Sequence, residues 1–327
     1  MNELRKDPTR GRWVLVRPKA ASSAEVECPF CPGAENATGP EIAAYRKEGS
    51  SPNAPGWTVR VVAEADPYFR TEWEVVREGV GMFDTITPRG ASELIVESTR
   101  HEDTMASMHC DQLESVFWMY RDRLLDLKRD NQIRDILISR HHKKPGVAAH
   151  HPYSRVTAIP IVFDDTRREL REAREYYQYK RRCLYCDMLR QEIAAEDRIV
   201  LLTQSFAAVV PYAARGPLEV WVLPRRHGCS FEEALTSETA PDLARLLSQS
   251  FRTLERLDDP PYEMVLHTAP NLRSRILQGD WATIRDDYHW HIEIVSHSDR
   301  FNRVGGIYVN EKAPEETAAE LRNAWLE

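Results

Sequence analysis

Four of the six cysteines fall into two Cys-x-x-Cys pairs, Cys28/Cys31 and Cys183/Cys186. Each pair is followed, in the same order, by two histidines: His101 and His151 behind the first, His227 and His289 behind the second. Thiolate and imidazole together are the ligands zinc prefers, and four of them close a tetrahedral ion to water. The expected cofactor is therefore zinc in two structural sites, Cys28/Cys31/His101/His151 and Cys183/Cys186/His227/His289. A redox role is the rival for any Cys-x-x-Cys, but it would leave the matched histidines unexplained. Cys110 and Cys229 belong to neither set and read as buried free thiols.

The second chemistry lies two residues beyond each last histidine, in His289-Trp-His291 and in His151-Pro-Tyr153. On a strand, residues i and i+2 share a face. A ligand histidine would thus fix the position of the residue two further on, which is how a nucleophile or acid-base group is pre-organised. Tyr153 and His291 are the candidate catalytic residues, with Glu293 on the same strand face as His291. His150 points to the opposite face. A phenol titrates near ~10, so at neutral pH it is a weaker nucleophile than imidazole unless its surroundings help.

These residues are positioned by a repeat. "GASELIVESTRH" (90–101) and "GPLEVWVLPRRH" (216–227) align without gaps, each reading Gly-x-x-Glu, an aliphatic strand and a turn ending in Arg-His. Behind the first comes an amphipathic helix over 111–130, with Leu113, Val116, Phe117, Tyr120, Leu124 and Leu127 at helical spacing. A short strand over 136–138 follows, and then His151. Behind the second comes a helix over 241–257, with Pro241 at its start, then a strand over 262–267, and then His289. The order Cys-x-x-Cys, strand, His, helix, strand, His occurs twice, so the chain is a tandem duplication with domains expected at 1–170 and 171–327. The seam, 164–182, is charged and helix-forming. The stretch 32–57, rich in Gly, Pro, Ser and Asn, reads as a surface loop, and 313–327 as a closing helix with acidic residues in its first turn.

A length of 327 residues suits two domains. A formal charge of -7 argues against a protein that grips a nucleic-acid backbone. The N-terminus lacks the apolar core of a signal peptide, and no window approaches ~18 uninterrupted apolar residues. The expectation is a cytoplasmic protein whose partner is a phosphorylated small molecule, with neither nucleic acid nor membrane.

A set of segments along nearly the whole chain carries a resemblance: "RKDPTRGRWVLV", "CPFC", "ELIVES", "CLYCDML", "FAAVVPYAARGPLEVWVLPRRH", "LHTAP", "YHWHIEI" and "GGIYVNEKAPEETAAELR". In this order they resemble the landmarks of the galactose-1-phosphate uridylyltransferase family of the histidine-triad superfamily. The branch with two Cys-x-x-Cys pairs, which includes plant-type ADP-glucose phosphorylases, is the most similar. The resemblance implies an α+β fold of two histidine-triad-like domains, each an antiparallel-rich sheet with packed helices and one structural zinc, and a homodimer.

It also implies ping-pong nucleotidyl transfer on a nucleotide sugar, through a histidine in a His-Pro-His-x-Gln segment. By position that nucleophile is Tyr153 here, and the phosphate-donating Gln is Arg155. Arg140 stands for the Asn of an Asn-x-Gly loop, Ala148 for the Ser of Gly-x-Ser, and Glu64 for the Asn of a nucleotide-contacting Asn-x-x-Pro. Only Gly146 of that group is kept. Arg140, Gly146, Arg155 and Glu64 are therefore the expected substrate contacts, the two arginines as anion clamps.

The reading that follows is a divergent nucleotidyltransferase-family enzyme on a nucleotide sugar or other phosphorylated metabolite, working without the family histidine and not as a galactose-1-phosphate uridylyltransferase. Tyr153 would be a general acid or an arginine-activated nucleophile. One alternative is an inactive, zinc-stabilised binding or regulatory protein. Another moves catalysis to His291, against the plainer reading of His291 as a buried, hydrogen-bonded residue.

Overall fold

The computed structural model describes residues 2–17, 28–143, 151–273, 281–296 and 302–326. Gly146, Ala148 and His150 lie outside them. The strands in chain order are β1 (Glu3–Lys6), β2 (Trp13–Val16), β3 (Glu41–Arg46), β4 (Trp57–Ala63), β5 (Arg77–Val80), β6 (Phe83–Ile86), β7 (Ala91–Val96), β8 (Asp135–His142), β9 (Tyr153–Ile159), β10 (Ile199–Leu202), β11 (Phe206–Val209), β12 (Glu219–Pro224), β13 (Tyr262–His267), β14 (His291–Ser296), β15 (Asn302–Val304) and β16 (Ile307–Val309). The helices are α1 (Cys110–Leu127), α2 (Asp164–Lys180), α3 (Leu184–Ala195), α4 (Phe231–Ala234), α5 (Thr239–Arg256), α6 (Ile284–Asp287) and α7 (Pro314–Leu326).

Ten strands form one sheet in the order β10-β11-β12-β14-β13-β8-β9-β7-β4-β3. The order reads the same from either edge to the middle once each first-half strand is exchanged for its repeat counterpart, β3 for β10, β4 for β11, β7 for β12, β9 for β14 and β8 for β13. The pairings are antiparallel throughout, including the central one, where Met264 of β13 faces Arg140 of β8. The two halves thus share a sheet, and the expected border at 170/171 falls inside α2.

One face of the sheet is covered by α1 and α5, which pack against each other. The six apolar positions expected of the first helix are all buried in α1. Leu243, Leu246, Leu247, Phe251 and Leu254 do the same for α5. They meet Ile136, Ile138, Val156 and Ala158 from the first half and Val220, Val222, Met264, Ile292 and Ile294 from the second in one continuous core. Each buried Leu, Ile, Val, Phe or Met among them contributes about 1.5–3 kcal/mol. Polar ties cross the same core: Lys128, just after α1, donates to Glu232 at 2.6 Å and to the Ala269 carbonyl at 2.7 Å.

The opposite face is covered unequally. In the second half α2 and α3 lie over it, with Leu170, Ala173, Tyr185 and Leu189 packed on Ala207, Val209 and Leu223. In the first half a small sheet, β2-β1-β6-β5, covers one end through Leu4, Ile86, Phe69 and Ile159. The stretch 32–57 is not all loop: β3 within it pairs with β4 at the sheet edge. Its half-buried side chains give an edge strand too little apolar alternation to stand out in sequence. The strand expected at 136–138 extends over eight residues, because its polar C-terminal half is paired with β13. No described helix is long and apolar enough to cross a membrane.

Gly90, which opens the first repeat, has φ +154, and a Cβ there would sit 1.9 Å from the Ala158 carbonyl oxygen on β9. Backbone cannot yield as a side chain does. Gly90→Ala is expected to destabilise the chain by about 2 kcal/mol or more, read as a lower midpoint in urea unfolding. A midpoint within error of the unsubstituted chain would contradict this packing.

Candidate functional site

Both Cys/His sets assemble. The ligand-capable atoms of Cys28, Cys31, His101 and His151 lie within 4.8 Å of one another, as do those of Cys183, Cys186, His227 and His289. Cys31 Sγ is 3.5 Å from His101 Nδ1 and 3.8 Å from His151 Nδ1. Cys186 Sγ is 3.4 Å from His227 Nδ1 and 3.5 Å from His289 Nδ1. The other ring nitrogens are taken by backbone carbonyls: His151 Nε2 by Ser98 at 2.8 Å, His289 Nε2 by Pro224 at 2.9 Å and His227 Nε2 by Arg285 at 2.9 Å. Ser98 and Pro224 are themselves equivalent positions of the repeat.

A proton on Nε2 leaves Nδ1 as a lone-pair donor aimed at the thiols, the tautomer a metal ligand requires. Burial lowers the His151 pKa, which favours the neutral ring. A hydrogen bond from Cys183, joined by both imidazoles, holds the Cys186 thiol well below its usual value. The donor chemistry fits zinc in both sets.

His151 and His289 end the loops that lead into β9 and β14, and Tyr153 and His291 are the first residues of those strands. Alternation then sets the faces. On β9, Ser154, Val156 and Ala158 point to the α1/α5 core, and Tyr153 and Arg155 to the opposite, open face, beside Val96 and Leu94 of β7. On β14, Ile292 and Ile294 enter the core, and His291 and Glu293 face the other way. Tyr153/Arg155 and His291/Glu293 are thus equivalent pairs.

Their surroundings differ. Half-buried Tyr153 lies against Phe30, ring centres 5.5 Å apart. Arg155 NH2 donates to Glu64 Oε1 at 2.7 Å. Burial raises the Glu64 pKa against the pull of Arg155. Arg140 does not join them. It is one residue out of phase on β8, points into the core with 4% exposure, and donates to Glu97 at 2.9 Å. Tyr120 and Ser154 hydrogen-bond the same carboxylate. The structure therefore does not bring the two expected arginine clamps onto one surface.

His291 has 0% exposure. Its ring is stacked on His267 at 4.6 Å and on Trp221 at 5.3 Å, with Tyr185 at 5.2 Å. His291, His267, Glu293 and Glu169 of α2 bring four ligand-capable atoms within 4.8 Å and could hold a metal ion. His267 Nδ1 is 3.0 Å from Glu169 and Nε2 is 3.7 Å from Glu293, while the buried His291 Nε2 has no hydrogen-bond partner. Burial opposes a charge on His267, yet the two carboxylates outweigh it and raise its pKa to about 9. Against the same burial, His267 holds both Glu169 and Glu293 below the usual carboxylate range. Sequence reasoning missed Glu169 and His267. The one signal was the histidine closing "YEMVLH", whose register partner across the sheet is His291.

Models of two domains match the chain: galactose-1-phosphate uridyl transferase, N-terminal domain, over residues 2–157, and its C-terminal domain over 169–307. The chain belongs to the galactose-1-phosphate uridylyltransferase family. It is 26% identical to an ADP-glucose phosphorylase of Arabidopsis thaliana, over 99% of this chain and 93% of that protein. With a galactose-1-phosphate uridylyltransferase of Thermotoga maritima it shares 25% identity over the full length of both. A solved uridylyltransferase superposes with a TM-score of 0.83 at 27% identity, covering 99% of this chain and 98% of the other.

Because the folded pKa of His267 lies above the unfolded value, its contribution to stability is full below about pH 6.5 and is lost as pH rises through about 9. Glu169→Gln removes one of its partners. The gap in unfolding free energy between the two chains is expected to be largest between about pH 4.5 and 6.5, to shrink in acid as Glu169 itself protonates, and to close above about pH 9; a pH-independent gap would refute the charged pairing.

Proposed function

We propose that the chain is a nucleotidyl-transferring enzyme that acts on a sugar nucleotide or related phosphorylated metabolite at the open face of its first half, without a histidine nucleophile. The observation that carries this is the contrast between two equivalent positions. Tyr153 and Arg155 stand half-buried on the side of the sheet that α2 and α3 leave open, whereas His291 is sealed under those helices. A cavity of about 450 Å³ reaches Glu169, His267 and Glu293 beside it, but the His291 ring itself is fully buried. Full-length similarity to an ADP-glucose phosphorylase and to a uridylyltransferase supports the same class of reaction.

In that reaction an acceptor phosphate oxygen attacks the α-phosphorus in line, the bond to the bridging oxygen breaks, and the sugar phosphate leaves. Arg155 would take up charge on the non-bridging oxygens, as a fixed guanidinium does well. The Tyr153 hydroxyl would give its proton to the departing oxygen. In the two-step variant it would first lose that proton and carry the nucleotide itself. Gly146 and Glu64 remain proposed contacts and Arg140 supports the strand from behind. Both Cys/His sets are proposed to hold zinc as structural ions that fix the loops entering β9 and β14. The family resemblance carries the further proposal of a homodimer, and the reading of the sequence that of a cytoplasmic one.

Metal analysis of purified protein is expected to return two zinc ions per chain, and one in either Cys28→Ser or Cys183→Ser. Two ions retained in either variant would exclude that set as a zinc site. Mixing the protein with UDP-, ADP- and GDP-sugars and acceptor phosphate should give turnover that falls about 100-fold or more in Tyr153→Phe. A mass adduct mapped to Tyr153 would select the two-step route, and its absence direct transfer. Turnover undiminished in Tyr153→Phe, an adduct on His291, or no turnover with any of the three would overturn the proposal, the last in favour of a binding protein.

A further inference from the structure

The two halves also part ways at the turn that carries each Arg-His. In the first half Arg100, His101, Glu102 and Asp103 stand there, and Arg100 pairs with Asp103 at 3.4 Å. In the same register the second half has Arg226, His227, Gly228 and Cys229. Met105 and Phe231, two residues further on, are both fully buried, so the register holds in space. Two carboxylates are thus replaced by a hydrogen atom and a thiol, and Arg226 lacks the counter-ion that Arg100 has. Among the described residues none pairs with it.

A third exchange lies beside these two. Pro152, between His151 and Tyr153, becomes Trp290, between His289 and His291. The Trp290 side chain is 1% exposed and makes T-shaped contacts with Phe206 and Phe231, ring centres 5.9 Å and 5.1 Å away. Its Nε1–H has no acceptor, and a buried donor left unpaired costs about 1–3 kcal/mol. Gly228 lies against that edge of the indole. A Cβ built on it would sit 3.8 Å from Trp290 Cδ1 and 3.9 Å from Nε1, and the glycine leaves that space to another atom.

Arg226, Gly228 and Trp290 all line one cavity of about 750 Å³, walled on its far side by the α4–α5 segment. Such a volume suits a small molecule. Arg225, also on the wall, is taken up by the Thr203 and Gln204 carbonyls. Of the two acidic side chains there, Glu233 is paired with Arg285 and Glu238 is exposed. Trp290 packs into the α1/α5 core, on the other side of the sheet from Tyr153 and His291.

We infer that this cavity is a second small-molecule site, for a metabolite that carries an oxyanion, carboxylate or phosphate, together with a further acceptor oxygen. Arg226 takes the anion where Arg100 takes Asp103, and a guanidinium fork suits either group. The acceptor oxygen meets the Trp290 N–H through the gap over Gly228. A ligand so held would bridge the segments that carry His227 and His289. The site stands apart from the proposed reaction, and failure of that reaction would leave it untouched.

The test is nitrogen-15 magnetic resonance of the metal-replete full chain labelled at its tryptophan indoles. It is titrated with glycerol 3-phosphate and, separately, with succinate, both at constant ionic strength. The Trp290 signal is assigned by its loss in Trp290→Phe, or in Trp290→Leu if that chain does not fold. A saturable downfield shift of this signal is expected. The apparent affinity should fall about tenfold or more in Arg226→Ala. The shift should vanish in Gly228→Ala, whose methyl fills the gap on a backbone that alanine can adopt. Circular dichroism and bound-metal content check each variant. A response to one probe alone assigns the anion to that class, and a response to both assigns it to oxyanions in general. No saturable shift with either probe, an equal shift with sodium chloride, or an unchanged titration in either variant would overturn the site.

Discussion

Two imidazoles, each bonded from both sides, hold this protein's working surfaces in place. His151 and His289 turn one nitrogen toward a pair of cysteines and the other toward a carbonyl at or just past the end of a neighbouring strand. A ring fixed at both nitrogens can neither rotate nor slide, so the strand that begins two residues later starts in one register. Because a strand alternates strictly, that register decides which residues of β9 and β14 meet solvent and which enter the core. A slip of one residue would bury Tyr153 and Arg155 and expose Ser154 and Val156. In the proposed function, metal-filled Cys/His sets would be anchors for side-chain direction and would take no part in the chemistry itself.

The duplicated scaffold has used this constraint in two ways. In the second half the equivalent positions lie under α2 and α3 in a buried cluster, with the His267 ring between Glu169 and Glu293. Such a cluster specifies how α2 docks on the sheet, at the cost of desolvating every member. Among the described residues no helix closes the same face of the first half. What lies there is Tyr153 against Phe30 and Arg155 paired with Glu64, both partly exposed. In the proposed function the first half takes the substrate and the second half braces it.

Much of this was legible in the sequence because it repeats. The Gly-x-x-Glu strand ending in Arg-His occurs twice, and the order of cysteines and histidines around it fixed both ligand sets before any geometry was known. The core positions of α1 follow from helical spacing and are all buried. Features that depend on strand parity and on pairing across the sheet were not legible. Arg140 and Arg155 looked like partners because both stand where the family places pocket residues. Arg140 faces the core because β8 is longer than its apolar centre suggests, and pairing with β13 carries the alternation through to it. Glu169 sits in a highly charged helix where one more carboxylate carries no signal, and His267 meets His291 only through the β13–β14 register.

The central claim is that the first-half open face, built out from the His151 anchor, is where substrate phosphate sits. A crystal structure of the metal-replete chain with a non-hydrolysable ADP-glucose analogue tests it most directly. The account predicts the α-phosphate beside Tyr153 and Arg155. Density for the diphosphate against His267 and Glu293, or anywhere on the second half alone, would contradict it.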